Sequence, residues 1–172
     1  MVTKAKITGI GSYLPQRVIS NDELSQTMDT SDEWIVQRSG IRMRHQAADG
    51  EYTSDLGVQA AQKAMRHGGL TIDQIDLIVV ATTTPDQTFP ATAALIQKKL
   101  GMTHGAAFDV QAVCSGFVYG LSVTSAMIET GQARHALLIG AETMTRLLNW
   151  QDRTTAVLFG DGAGAVVVSQ CE

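Results

Sequence analysis

The sequence contains few cysteines, no excess of basic charge and no long apolar run. Only two cysteines occur among its 172 residues. Cys114 and Cys171 could form one disulfide, but a reducing cytoplasm favours free thiols. Their spacing also lacks the paired Cys/His pattern of a zinc site, so we expect no bound metal.

The charge balance argues against nucleic acids and anionic lipids as partners. The formal net charge is -4, which provides no global basic field, although a local basic groove for one phosphorylated cofactor is compatible with it. No apolar run reaches the roughly 18 residues that span a bilayer. Residues 1–11 lack the long apolar core and small-residue cleavage site of a secretory signal, so we expect a cytoplasmic protein without membrane contact.

Length and composition fit one folded domain over residues 1–172. Hydrophobic residues make up 44% and charged residues 17%, which is typical of a compact domain rather than a disordered chain. A domain of this length buries roughly 70% of the surface of its unfolded chain. We find no internal repeat and no low-complexity tract or linker.

Short apolar runs alternate with helical segments, which predicts an α/β fold. Strands separated by helices favour a mainly parallel sheet with helices on its faces. Only Gly160, Asp161 and Gly162 separate the last two runs, which predicts an antiparallel hairpin there. The predicted strands are 5–11, 75–83, 106–110, 136–140, 156–159 and 163–169.

Several helices have recognisable ends in the sequence. Thr30 and Glu33 have the spacing of a capping box, and Gly40 follows as a stop signal. A second helix is expected over residues 53–67, before two glycines, and a third over residues 91–100, before Gly101. Trp34 and Arg38 share a face of the first helix, where spacing alone favours a cation–π pair or a surface stripe.

Cys114 lies where a strand ends near Val110 and a helix begins near Ser115. Unpaired amide groups and the positive end of the helix dipole favour a thiolate at such a position. A small buried hydrophobe is the alternative, since most free cysteines are of that kind. Cys171, near the end of the chain, has no comparable setting.

Four segments together resemble the β-ketoacyl-acyl-carrier-protein synthase III family of thiolase-fold condensing enzymes. They are DTSDEWIVQRSGIRMRH, ATTTPDQTFPATA, AVCSGF and FGDGAGA, they occur in the family's order, and the resemblance covers essentially the whole chain. It implies the N-terminal half of a thiolase-like fold, with a mixed, mostly parallel five-stranded sheet and helices on both faces.

The resemblance also implies an activity. Cys114 would take an acyl group from acyl-coenzyme A, and malonyl-acyl-carrier protein would then lose carbon dioxide and attack the thioester. Coenzyme A would act as a substrate carrier, with no tightly bound cofactor. In the family the backbone N–H of the cysteine helps to stabilise the oxyanion, a role that falls to Cys114 here.

Further site residues follow from the resemblance alone. Trp34 and Arg153 would enclose the adenine of coenzyme A, with Thr30 and Arg38 nearby. Phe89 would reach across a homodimer interface and close the partner's acyl pocket.

The glycine-rich and histidine segments suggest no further site. Gly160–Gly164 lacks the helix that must follow a dinucleotide-binding loop. His45-Gln46-Ala47 echoes the family's His-Gln-Ala-Asn, but Ala48 follows it. We therefore assign no catalytic role to any of the four histidines, which are His45, His67, His104 and His135.

The family's catalytic histidine and asparagine belong to a C-terminal half that is absent from these 172 residues. We therefore expect the chain alone to be an incomplete enzyme that requires that half for activity. Two alternatives stay open: a related condensing enzyme of secondary metabolism, of the alkylquinolone or polyketide-starter type, and a non-catalytic structural subunit.

Overall fold

The computed structural model describes residues 3–171, in which strands and helices alternate. Within this range no helix combines the length and the apolar composition needed to cross a membrane. The strands are β1 (Lys4–Tyr13), β2 (Arg17–Ser20), β3 (Met43–Gln46), β4 (Leu77–Ala81), β5 (Ala106–Val110), β6 (His135–Thr143) and β7 (Asp161–Cys171). The helices are α1 (Asn21–Ser25), α2 (Asp32–Ser39), α3 (Thr53–Gly68), α4 (Thr92–Leu100), α5 (Gly116–Glu129) and α6 (Arg153–Ala156).

The main sheet has five strands in the order β1-β7-β6-β4-β5. Strand β4 runs parallel to β5 and β6, whereas β7 is antiparallel to both of its neighbours, β6 and β1. Four of the five strands therefore point the same way, which confirms the expected mixed, mostly parallel sheet. A separate antiparallel pair, β2 and β3, was not foreseen from the sequence.

Successive residues of the central strands alternate between two apolar layers, one on each face of the sheet. Ile78 and Val80 of β4 belong to the layer under α3 and α4, while Leu77 and Val79 pack in the layer under α5. All four side chains are buried because both faces are covered. The predicted arrangement of helices on both faces is thus confirmed.

Three predicted helix ends are confirmed, and one predicted helix start is shifted. Gly40, Gly69 and Gly101 cap α2, α3 and α4 in the left-handed conformation. The start of α2 lies one residue later than the capping box implied. Ser31, rather than Thr30, accepts the hydrogen bond from the Trp34 N–H.

The predicted strand at 156–159 and its hairpin are wrong. Ala156 ends α6, Val157 and Leu158 form a turn, and β7 pairs with β1 and β6 instead. The cause is Asp161, whose buried carboxylate accepts hydrogen bonds from Ala47 N–H, Thr145 N–H and Thr145 Oγ1–H. These bonds attach the start of β7 to neighbouring segments, so the glycines beside it do not fold into a hairpin.

Candidate active site

Cys114 lies in a short 3₁₀ turn, Val113–Ser115, that joins β5 to the first turn of α5. Its side chain is exposed, so it is not the buried packing residue of the alternative interpretation. No hydrogen bond from the Cys114 N–H to another backbone group is found among residues 3–171. The cysteine therefore offers a thiol and an amide donor at the head of an apolar helix.

The residue before the cysteine has an unusual backbone. Val113 has φ of 48° and is the one non-glycine residue with positive φ in the described part of the chain. A β-branched residue is disfavoured in this region, and such strain costs about 1–3 kcal/mol. The strained residue lies directly before the exposed Cys114, in a strand-to-helix turn of the kind that carries the nucleophile in other enzymes.

Two glycines bring α5 close to the sheet behind Cys114. A Cβ atom on Gly120 would lie 2.7 Å from Leu138 Cδ1, and one on Gly116 would lie 3.2 Å from Ala81 Cβ. A side chain at either position would require its neighbour to move, so the start of α5 packs closely against β4 and β6. This contact fixes the position of the preceding turn and its cysteine.

A cavity of about 250 Å³ lies beside Cys114. Most of its surface is apolar. Residues from four separate segments line it, and they are Thr83, Val113, Cys114, Glu142, Met144, Phe159 and Gly160. No histidine lies on this wall. An apolar cavity next to an exposed thiol can accommodate a short acyl chain on that sulfur.

A second cluster forms around Trp34. The guanidinium carbon of Arg38 lies 4.3 Å from the centre of the indole ring, which confirms the cation–π pair expected from the spacing. The guanidinium carbon of Arg153 lies 4.9 Å from the same ring, and Arg153 also donates a hydrogen bond to the Asp29 carbonyl. Two cations thus contact one aromatic ring.

Two neighbours complete this cluster. The Thr30 hydroxyl oxygen is buried and has no hydrogen-bond partner among the described residues. Asp152 caps α6, and hydrogen bonds from the Thr154 and Thr155 side chains lower the pKa of its carboxyl group. Arg153 is therefore the first residue of a helix whose N-cap, Asp152, is ionised at neutral pH.

The remaining candidates lie apart from these two clusters. Phe89 is 83% exposed in the loop before α4 and does not line the cavity at Cys114. Three histidine rings are engaged elsewhere: His45 with Pro15 O, His67 with the Ile10 N–H and His135 with Ser169 Oγ. Trp34 and Arg153 do not line the cysteine cavity either, but Arg153 and Phe159 belong to one short segment that connects the two clusters.

Sequence reasoning missed three residues of this region. Val113 gave no signal, because valine is among the least expected residues at positive φ. Glu142 and Asp161 did give one, since each is an acidic residue in an otherwise apolar strand and so needs a specific set of donors. For both residues the structure supplies those donors.

Known proteins match this chain over nearly its whole length. The family model described as 3-Oxoacyl-[acyl-carrier-protein (ACP)] synthase III matches residues 108–172. A "Beta-ketoacyl-[acyl-carrier-protein] synthase III" of Rhodospirillum centenum is 61% identical over 168 residues, which are 98% of this chain and 52% of that protein. The Ehrlichia canis protein of the same name is 58% identical over 166 residues, 96% of this chain and 52% of that protein.

Solved structures agree with these sequence matches. The 3-oxoacyl-[acyl-carrier-protein] synthase III of Aquifex aeolicus superposes with a TM-score of 0.95 at 46% identity, over 98% of this chain and 54% of that one. The priming β-ketosynthase of the R1128 polyketide pathway has a TM-score of 0.94 at 39% identity, over 98% of this chain and 50% of that one. The chain thus spans about half the length of the relatives it matches.

Proposed function

Because the chain belongs to the β-ketoacyl-acyl-carrier-protein synthase III family, we propose that Cys114 carries the acyl group in an acyltransferase that initiates fatty-acid synthesis. The observation that carries the proposal is an exposed thiol at the head of α5, beside an apolar cavity. The thiolate attacks the carbonyl of an acyl-coenzyme A, and coenzyme A leaves as its thiol. A malonyl-acyl-carrier protein then loses carbon dioxide, and the resulting carbanion displaces the cysteine to give a 3-oxoacyl product.

Stabilisation of the oxyanion is the second part of the proposal. Negative charge develops on the carbonyl oxygen when sulfur attacks it, and fixed N–H donors lower the energy of that state. The Cys114 N–H is available for this role, and the strained turn at Val113 holds it in a fixed orientation.

The Trp34 cluster is proposed as the nucleotide end of the coenzyme A site. An indole ring stacks on purines, and guanidinium groups both stack on purines and attract phosphates. Arg38 and Arg153 supply that charge beside Trp34. Thr30, whose buried hydroxyl has no partner among the described residues, is proposed as a neighbouring contact of the nucleotide. Phe89 is proposed to close the acyl pocket of a second copy in a homodimer, consistent with its exposure.

The condensation step is proposed to need a C-terminal half that completes residues 1–172 in a cytoplasmic enzyme. The outer surface of the chain supports this, because apolar side chains of α5 and β1 are uncovered: Val118 is 60%, Tyr119 56% and Ile10 57% exposed. Apolar surfaces of this kind mark interfaces. The histidine and asparagine that polarise the malonyl thioester would come from that half.

A related condensing enzyme of secondary metabolism is the second candidate. It is favoured by the structural likeness to the R1128 priming ketosynthase and to AbyA1, a tetronic acid condensing enzyme that is 32% identical with a TM-score of 0.89. Both candidates use Cys114 in the same way. They differ in the acyl groups and carriers that they accept, so a substrate series separates them.

The first prediction concerns acyl transfer to sulfur. Incubation with acetyl-coenzyme A should add one acetyl group to the protein, as measured by intact mass, and Cys114→Ser should lower the rate about a thousandfold because a hydroxyl is far less ionised than a thiol. Cys171→Ser is the matched control and should acylate at the normal rate. Acylation that persists in Cys114→Ser and disappears in Cys171→Ser would refute the proposal.

The second prediction concerns the Trp34 cluster. Trp34→Ala and Arg153→Ala should each weaken coenzyme A binding about tenfold or more in calorimetric titration, since each removes a stacking surface for the base. Arg134→Ala removes an exposed arginine that directly precedes β6 and takes no part in the Trp34 cluster, and it should change the affinity less than about twofold. Equal effects of Arg153→Ala and Arg134→Ala would mean that only net charge matters, and an unchanged affinity in Trp34→Ala would contradict the stacking role.

A further inference from the structure

Glu142, near the end of β6, lines the same cavity as Cys114. Its Oε1 accepts hydrogen bonds from the Thr83 N–H at 2.8 Å and the Thr83 hydroxyl at 3.1 Å. Its Oε2 accepts from the hydroxyls of Thr82, at 3.3 Å, and Thr84. A carboxylate offers about four lone-pair positions, so three consecutive threonines use all of them.

The direction of these hydrogen bonds is fixed by the backbone. The Thr82 hydroxyl oxygen accepts from the Thr84 N–H at 3.1 Å, and the Thr84 hydroxyl oxygen accepts from the Thr143 N–H at 2.8 Å. Since both oxygens already accept from an amide, their own protons are free to point at Glu142 Oε2. The Thr83 N–H needs an acceptor at Oε1 in the same way. Both positions therefore require an oxygen, and a carboxylate supplies two, whereas a glutamine supplies one oxygen and one NH₂ group.

Charge neutralisation does not explain Glu142. Among residues 3–171 no lysine, arginine or histidine forms an ion pair with it, because the three ion pairs found involve Glu23, Asp55 and Asp29. All four donors are neutral groups of one loop, residues 82–84, which directly follows β4. The carboxylate thus stabilises the conformation of that loop through hydrogen bonds.

The same loop is held from its other side. The Thr53 hydroxyl donates to the Thr84 carbonyl at 2.5 Å, and Arg146 donates to that carbonyl at 2.8 Å. Thr53 and Thr84 are almost completely buried, whereas Thr83 is half-buried and reaches the cavity. The loop is therefore fixed where it faces Cys114.

We propose that Glu142 is a positioning residue that holds Thr83 as one wall of the cavity beside Cys114, and so selects the size of the acyl group that the cysteine carries. The inference rests on the proposed function, because it takes Cys114 as the acyl carrier. It adds a residue that acts through Thr83 and takes no part in the chemistry itself.

The test compares alkylation of Cys114 by N-hexyl- and N-methyl-iodoacetamide, in protein that also carries Cys171→Ser. The ratio of the two rates reports how well the cavity accepts an apolar chain. Glu142→Gln should change this ratio about threefold or more, since a displaced cavity wall alters the room by about one methyl group. Thr83→Val removes one hydroxyl donor at constant volume and should change the ratio in the same direction by a smaller factor.

Asp73→Asn removes one carboxylate at an exposed site and should leave the ratio within about 1.5-fold of the parent. A lower melting temperature with an unchanged ratio in Glu142→Gln overturns the proposal, because a merely structural residue would behave so. If that variant does not fold, Thr83→Val decides alone, and an unchanged ratio there also overturns it.

The alkylation ratio needs no acyl transfer, so the two proposals fail separately. A changed ratio in a protein that takes no acetyl group from acetyl-coenzyme A supports the role of Glu142 in shaping the cavity and refutes the acyltransferase. Normal acetylation with an unchanged ratio refutes the role of Glu142 alone.

Discussion

Gly11→Ala is expected to lower the melting temperature of the protein by about 6–12 °C, which corresponds to about 3 kcal/mol. A Cβ atom at this position of β1 would lie 2.4 Å from the Ala60 carbonyl oxygen and 2.4 Å from the Ala64 nitrogen. Both are backbone atoms of α3, so no side-chain rotation relieves the clash. The helix would have to move off the strand, and circular dichroism during heating measures the cost.

Gly164→Ala is the matched control in the neighbouring strand. Gly164 lies on β7 opposite Ser12 of β1, and a Cβ atom there would meet no atom within 4 Å. Alanine at this open position should be neutral or stabilise the protein by about 0.4–1 kcal/mol, since it reduces the entropy of the unfolded chain. Equal melting temperatures for the two variants would contradict the close contact between β1 and α3.

These two glycines illustrate what the sequence predicts and what it leaves undetermined. The strand at 5–11 followed from its apolar pattern, and the helix over 53–67 followed from its capping residues and the glycines after it. The close contact between the two elements did not follow, because a glycine within a strand is compatible with a bulge, a bend or a close approach. Only the packed structure distinguishes these.

The residues of the candidate site likewise fall into those that the sequence predicts and those that it does not. Trp34 and Arg38 could be paired from their spacing, and Cys114 could be placed at a helix start from local pattern alone. Arg153 is more than a hundred residues from Trp34, and only the resemblance to a family brought it into the prediction. Glu142 gave a signal as an acidic residue in an apolar strand, but its partners are threonines that follow a different strand, and no local pattern identifies them.

Substitution of the buried Arg44 is also expected to lower the free energy of unfolding by a large amount. Its guanidinium donates to the Ile19 carbonyl at 3.2 Å, the Asn21 side-chain oxygen at 2.8 Å and the Val157 carbonyl at 3.1 Å. Arg44→Met would leave three acceptors without a donor, at about 1–3 kcal/mol each. Burial also lowers the pKa of Arg44, since the charged form is poorly solvated, and loss of that charge offsets part of the cost.

The net loss for Arg44→Met should be about 3–5 kcal/mol in chemical unfolding. Arg44→Lys keeps the charge but not the planar fork that reaches three separate acceptors, so it should recover less than half of this loss. A lysine variant as stable as the parent would mean that charge alone matters. A methionine variant as stable as the parent would mean that desolvation cancels the hydrogen bonds.

Arg44 also links the fold to both clusters of the site, which gives its substitution a second consequence. Val157 follows α6, the helix that begins with Arg153, and a Cβ atom on Gly160 would lie 2.9 Å from Arg44 Cβ. Gly160 lines the cavity at Cys114. Arg44→Met should therefore weaken coenzyme A binding and slow acylation of Cys114 together, even under conditions where the variant is fully folded. Normal values for both would show that residues 153–160 keep their position without the buried guanidinium.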